Sequence, residues 1–236
     1  MRAGMEVMRV EALKVYSVSQ WALLFFLCSL AGWCWEVALY AVRERRFVNR
    51  GFLSGPLLPI YGFGAVGILL VCLPVRGSVL RVALRGMLAA SALEYATGAA
   101  MEALFHVRYW DYSDQPLNLN GHISLIAALT WAAFSVLLVR IVHPLVHPLL
   151  SRAAPLLSGV AATAMGVFAL LDASSSVRRA LELRALLTAQ GDIGGEDRRV
   201  QRVRRMLRRN PGAVSRRHGE ALERMKTVTH ARGRRA

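Results

Sequence analysis

The chain has 236 residues, 55% of them hydrophobic, and a formal charge of +15, with a mean hydropathy of +0.37. These facts pull in opposite directions until the charges are placed: residues 173–236 hold 17 Lys/Arg against 6 Asp/Glu, while residues 1–172 hold 13 against 9 and nearly all the long apolar runs. That is the pattern of a membrane domain, 1–172, followed by a basic, water-exposed tail, 173–236, and Cys28, Cys34 and Cys72, all in apolar runs, exclude a disulfide framework.

The first residues, MRAGMEVMRVEALKV, carry mixed charge with no small-residue cleavage site after the next apolar run, so no signal peptide is read. Five segments then reach the ~20 apolar residues needed to cross a hydrocarbon core: Ser17–Val42, Leu57–Val75, Val79–Leu104, Ile123–Val142 and Ala153–Leu171. The second is short enough to be partly re-entrant. The expected fold is all-α, a polytopic membrane helix bundle of about five transmembrane helices with a basic helical cytoplasmic tail. The loop RERRFVNR (Arg43 to Arg50) and the tail are the strongest basic clusters, and the positive-inside rule puts both in the cytoplasm. Arg76, Arg81 and Arg85, crowding the outer turn between spans two and three, argue the other way.

Between the first two spans lies FVNRGFLSGPLLPIYG, Phe47 to Gly62. Gly51, Gly55, Pro56 and Pro59 forbid a regular helix there, because proline lacks the amide proton and glycine is entropically costly. Irregular backbone beside hydrocarbon is tolerated only where protein or a water-filled cavity covers it. The stretch reads either as a site or as a short connecting loop with a helix starting at Pro56. Glu36 sits six residues before the end of span one, roughly 9 Å deep at 1.5 Å per residue. Ser29, Gly32 and Glu36 form a small-and-polar stripe suited to close helix packing. Glu94 and Glu102, with Gly98 midway, share one face of span three. Carboxylates at such depth are costly and should face the bundle interior, either marking function or pairing with Arg50 or Arg108; Glu102 is near enough to the boundary to be simply solvated.

The next inner loop, FHVRYWDYSDQPLNLNGH, adds Trp110, Asp111, Tyr112, Asn118 and the turn glycine Gly121. The geometry predicts that Glu36, Arg50, Glu94, Tyr61 and Asp111 converge on one polar cavity in the inner half of the membrane. Asn49, Glu102, Trp110, Tyr112 and Asn118 are the remaining candidates for that cavity, and Gly51, Gly55, Pro56, Pro59, Gly62 and Gly121 are structural turn residues.

His143 and His147 precede prolines where span four should end, which reads first as an interfacial helix end; neither they nor the loop group His106, Asp111, Asp114 and His122 has convincing metal spacing. In the tail, Asp172 and Ser174–Ser176 read as an N-cap cluster opening a helix to Gln190. A second helical stretch from Glu196 carries Val200, Val203, Met206 and Leu207 among arginines and stops at Asn210-Pro211-Gly212. A third runs from Val214 to Thr227. Basic amphipathic helices under a membrane suit anionic lipid headgroups or an acidic partner. Nucleic acid is a poor fit, since the tail has no aromatic residues. No phosphate-binding glycine loop, dinucleotide fingerprint, nucleophile elbow or zinc-protease motif occurs. No cofactor, no metal and no catalytic residue is expected.

The blocks GWCWE (Gly32 to Glu36), RFVNRGFLSGPLLPIYGFGA (Arg46 to Ala65), LEYATGAAMEALFHVRYWDYS (Leu93 to Ser113), and NLNGHISL followed by Trp131 are specific. Together they resemble the putative ABC-transporter type IV family of bacterial multi-pass membrane proteins, labelled permeases; LDASSSV and RMLRRNPGAVSRRHGEALE match more loosely. The resemblance implies a permease-like subunit with no ATPase of its own, set in the lipid bilayer of the cell membrane beside a separate ATP-binding subunit, and admits a homo-oligomer. Two other classes stay open: a membrane scaffold recruiting partners or anionic lipid through the tail, and a membrane-embedded enzyme using inner-leaflet carboxylates.

Overall fold

The computed structural model describes residues 15–188 and 198–233, and everything below refers to them. The readings placed on 1–14, Gln190 and Glu196 lie outside the described residues. Seven helices account for the fold: α1 (Val18–Glu44), α2 (Pro59–Cys72, continued by a 3-10 turn, Leu73–Val75), α3 (Val79–Phe105), α4 (Leu125–Arg152), α5 (Pro155–Thr188), α6 (Arg198–Arg209) and α7 (Gly219–Gly233). Among the described residues the only extended pairings are the isolated bridges Arg108–Val214 and Leu119–Ile123.

α1, α4 and α5 are long and apolar enough to cross a membrane. α2 is apolar but short, and α3 spans 27 residues while carrying Arg81, Arg85, Glu94 and Glu102. α1 and α3 are each followed by a left-handed residue that is not glycine, Arg45 at φ 52° and His106 at φ 59°, the conformation that commonly stops a helix. α2 starts at Pro59, not Pro56, with proline in its first turn, where a missing amide costs nothing. Ser124 caps α4, its hydroxyl accepting from the Ala127 amide at 3.2 Å.

Three expectations about helix ends are corrected. The His-Pro pairs do not end α4; the helix passes through a π turn at Leu138–Val142 and runs on to Arg152. A π turn changes the hydrogen-bond register, so the chain can accept Pro144 without breaking. Likewise the serine run caps nothing. α5 is continuous across 172/173, and the Ser174 and Ser175 hydroxyls bond back to the Leu171 and Asp172 carbonyls at 2.8 and 2.9 Å, as serines inside a helix do. The last tail helix starts five residues later than expected, at Gly219.

The chain divides into two compact units that do not follow sequence order. The first takes in the chain to Gly32, Leu58–Ala96 and Tyr112–Phe168; the second takes in Trp33–Leu57, Thr97–Asp111 and Ala169 onward. In the first, Leu24, Ile68, Leu69, Cys72, Val82 and Trp131 form the core. α1 and α2 meet closely there: a Cβ on Gly32 would clash with the Tyr61 ring, and one on Gly62 would lie 2.6 Å from a Phe25 ring carbon. The Leu58 amide donates to the Ser29 carbonyl at 3.0 Å. The small stripe of α1 is thus a packing seam in its Ser29–Gly32 part.

In the second unit, Phe105, Val107, Leu183, Leu187, Val203, Met206, Leu207, Leu222 and Met225 share one core. The apolar stripe of α6 is spent on that core and is buried in protein together with Arg204, while Arg199, Gln201, Arg202, Arg205 and Arg208 face outward.

Candidate functional site

The broken segment after α1 is held from three directions within the second unit. Asn49 clamps it from inside, its carbonyl oxygen accepting from Trp33 Nε1 at 2.7 Å while its amide donates to the Ser54 carbonyl at 2.7 Å. From α5, the Asp172 carboxylate accepts the backbone N–H of Ser54 at 3.0 Å and of Gly55 at 2.7 Å. Adjacent amides pointing at one carboxylate make a strong, charge-assisted anchor. Arg179, two turns further along α5, donates to the Ser54 hydroxyl at 2.5 Å and the Ser176 hydroxyl at 2.8 Å, and lies 3.9 Å from Asp172. From the end of α6, the Asn210 amide reaches the Gly51 carbonyl at 3.2 Å. Gly51 itself sits at φ 116°, where a side chain would be strained. Phe52 fills the space beneath, stacked on Phe105 at 5.6 Å and edge-on to Tyr109 at 5.3 Å.

Two ion-pair groups belong to the same unit. Arg50 Nη2 lies 4.0 Å from Glu36 Oε2, with its guanidinium over the Tyr40 ring at 4.9 Å. Arg108, buried to 2% exposure, meets Glu102 at 2.7 Å and Asp111 at 3.3 Å. The hydrogen bond that Arg108 donates to Glu102, reinforced by the charge of both carboxylates, holds the guanidinium above its ordinary range despite burial. Glu102 is therefore paired, not simply solvated. The Arg108 backbone pairs with Val214 in both directions, at 2.7 and 2.9 Å, which stitches the loop after α3 to the tail. Trp110 packs against the second core.

Glu94 and Tyr61 belong to the first unit. Glu94 is buried; its two oxygens accept from the Tyr112 hydroxyl at 3.0 Å and Trp131 Nε1 at 2.7 Å. The Tyr61 ring lies 5.6 Å from Trp131. Asn118 builds the turn that delivers Tyr112, donating to the Ser113 and Gln115 carbonyls and accepting from the Gly121 amide, with Gly121 at φ 74°. The predicted residues thus form three groups: Glu36 with Arg50; Glu102 and Asp111 with Arg108; and Glu94 with Tyr112, Trp131 and Tyr61. Asp172, Arg179 and Asn210, which hold the central loop, were not among them.

A profile of the family described as "Putative ABC-transporter type IV" matches residues 23–177, from Leu23 within α1 through α4 and into α5 beyond Asp172. The chain belongs to the putative ABC-transporter type IV family. Every residue of the loop anchor except Arg179 and Asn210 lies inside the region that this family shares. No curated protein and no solved structure matches the chain.

No group of three or more His, Cys, Asp or Glu able to hold a metal occurs among the described residues. Chemically, the three groups can fix charge and orient hydrogen bonds. Asp172 fixes a loop, Arg108 fixes a tail, and Glu94 offers a buried carboxylate oriented by one hydroxyl and one indole.

Proposed function

We propose that this chain is a permease-like subunit of the cell membrane, crossing it five times, with the second unit in the cytoplasm and no ATPase or other catalytic centre of its own. The observation that carries this reading is the make-up of the second unit. The C-terminal parts of α1, α3 and α5 fold together there with the basic loop and the tail. Three helix ends gathered with one basic body require two returns of the chain, and α2 and α4 are the helices available to make them. Excess arginine in that body then agrees with a cytoplasmic position. The family name supports a partnership with a separate ATP-binding subunit, and Glu94 with its Tyr112 and Trp131 partners is the polar site within the bundle part of the chain.

Affinity purification in mild detergent tests this: an ATP-binding protein recovered with the intact chain is the expected result. Recovery of other partners with no ATP-binding protein overturns the permease reading in favour of a scaffold. The scaffold reading has its own support in the outward arginine face of α6. Deleting residues 173–236 is not a clean way to separate the two, because Leu183, Val203 and Leu222 belong to the core that the deletion would destroy.

A further inference from the structure

The last turn of α6 brings more positive charge to the central loop than the loop can neutralise. Asn210 ties the end of that helix to the Gly51 carbonyl, so Arg209, the residue before it, is carried toward the place where Arg179 already lies beside Ser54 and Asp172, with Arg205 one turn back on the same helix. Asp172 is occupied by the Ser54 and Gly55 amides, and one carboxylate stands against three guanidiniums. Arg209 is partly buried and Arg205 exposed; neither makes a hydrogen bond or ion pair among the described residues. Burial first, then Arg179 and Arg205, push the Arg209 guanidinium below its ordinary range, with Asp172 opposing them. Cations crowded this way are costly unless an anion joins them.

Arginines at a helix C-terminus also suit the helix dipole. That accounts for Arg208 and Arg209 as residues of a last turn, but not for the influence on Arg209 of Arg179, which stands on another helix beside a serine hydroxyl. Guanidiniums present planar forks of N–H donors that match phosphate oxygens, and Ser54 Oγ adds a hydroxyl to the set.

We propose that Arg179, Arg205, Arg209 and the Ser54 hydroxyl form a binding site for a phosphate group, carried either by an anionic lipid headgroup or by a small soluble phosphate. The site would tie loop, α5 and tail together when filled. It stands independently of the permease reading, because it needs only the second unit.

The test is the melting temperature of the intact, detergent-solubilised protein with each of two probes at constant ionic strength. One is inorganic phosphate against chloride; the other is micelles doped with phosphatidylglycerol against phosphatidylcholine. A rise of about 3–6 °C is expected at a roughly tenfold excess of probe over its Kd. Arg209→Gln and Arg205→Gln should each weaken the response at least about tenfold in probe concentration. Arg199→Gln, the same charge loss at the other end of α6, should leave it intact. A response to the lipid alone assigns the site to headgroups, and a response to inorganic phosphate alone assigns it to a soluble ligand. No response to either probe overturns the proposal. So does a response that Arg199→Gln weakens as much as Arg209→Gln, since that is charge screening without a site. Should Arg209→Gln fail to fold, the exposed Arg205→Gln carries the same comparison.

Discussion

Asp172 is the residue whose removal tests the loop anchor most sharply. Its side chain is only 8% exposed, so its two bonds to the Ser54 and Gly55 amides, at 3.0 and 2.7 Å, are shielded from water. Hydrogen bonds to a charged group are worth about 1.5–3 kcal/mol each, so Asp172→Ala should cost about 3–6 kcal/mol. Arg179 keeps its bonds to the Ser54 and Ser176 hydroxyls and loses only the 3.9 Å approach to the carboxylate. Asp172→Asn keeps one acceptor but turns an NH2 group toward the second amide, and should cost about 2–3 kcal/mol. Denaturant melting in detergent measures both, and limited proteolysis between Phe47 and Leu57 should speed up in parallel. If both variants melt within about 0.5 kcal/mol of the parent, as for a surface substitution, the anchor is refuted.

Gly32→Ala should destabilise by about 1–3 kcal/mol, because the new Cβ meets the Tyr61 ring; adding Tyr61→Ala should recover part of the loss, and a single variant melting like the parent contradicts the seam. Glu94→Ala leaves the Trp131 indole and the Tyr112 hydroxyl without the acceptor they now share. It should cost about 1–3 kcal/mol for each orphaned donor. Combined with Trp131→Phe it should be non-additive by at least ~0.5 kcal/mol, and strict additivity would show that the bond contributes nothing. His106 is held below its ordinary value of 6.5, first by desolvation and then by Arg184, Arg217 and His218. A base with a depressed folded pKa binds its proton later in the folded state than in the unfolded one. Stability should therefore be full above about 6.5 and fall as pH drops toward the folded value. His106→Asn, which tolerates the left-handed backbone, should flatten that decline in a pH series of melting temperatures, and an unchanged slope counts against it.

Helices were legible wherever an apolar run was long, because burial or lipid contact rewards the whole run. Their ends were less so. The sequence reading took His143-Pro144 and Ser174–Ser176 as boundaries from local rules, yet a π turn absorbs the first and internal serine bonds absorb the second. The Arg50–Glu36 proximity followed from carboxylates needing cations at depth, whereas Arg108 pairs with Glu102, which the sequence left as simply solvated. What could not be read was which distant residue would satisfy the loop after Phe47. Asp172 is 117 residues from Gly55, and Asn210 is 159 from Gly51. One signal was present: a proline- and glycine-broken segment leaves backbone amides that must find acceptors, and Asp172 was the lone carboxylate in an otherwise apolar stretch. The stripe of α6 was equally legible as amphipathic, but amphipathicity alone does not say whether lipid or protein covers it; here it is Val107, Leu183 and Leu187.

The five-crossing arrangement with a cytoplasmic second unit is the claim on which the functional reading depends, and topology reporters test it directly. Fusions are placed at Gly77, in the turn before α3, at Ser113, in the loop following α3, and after Ala236. The account predicts that Ser113 and Ala236 report the cytoplasm while Gly77 reports the opposite side. Ser113 and Ala236 on opposite sides, or Gly77 on the same side as both, would contradict it.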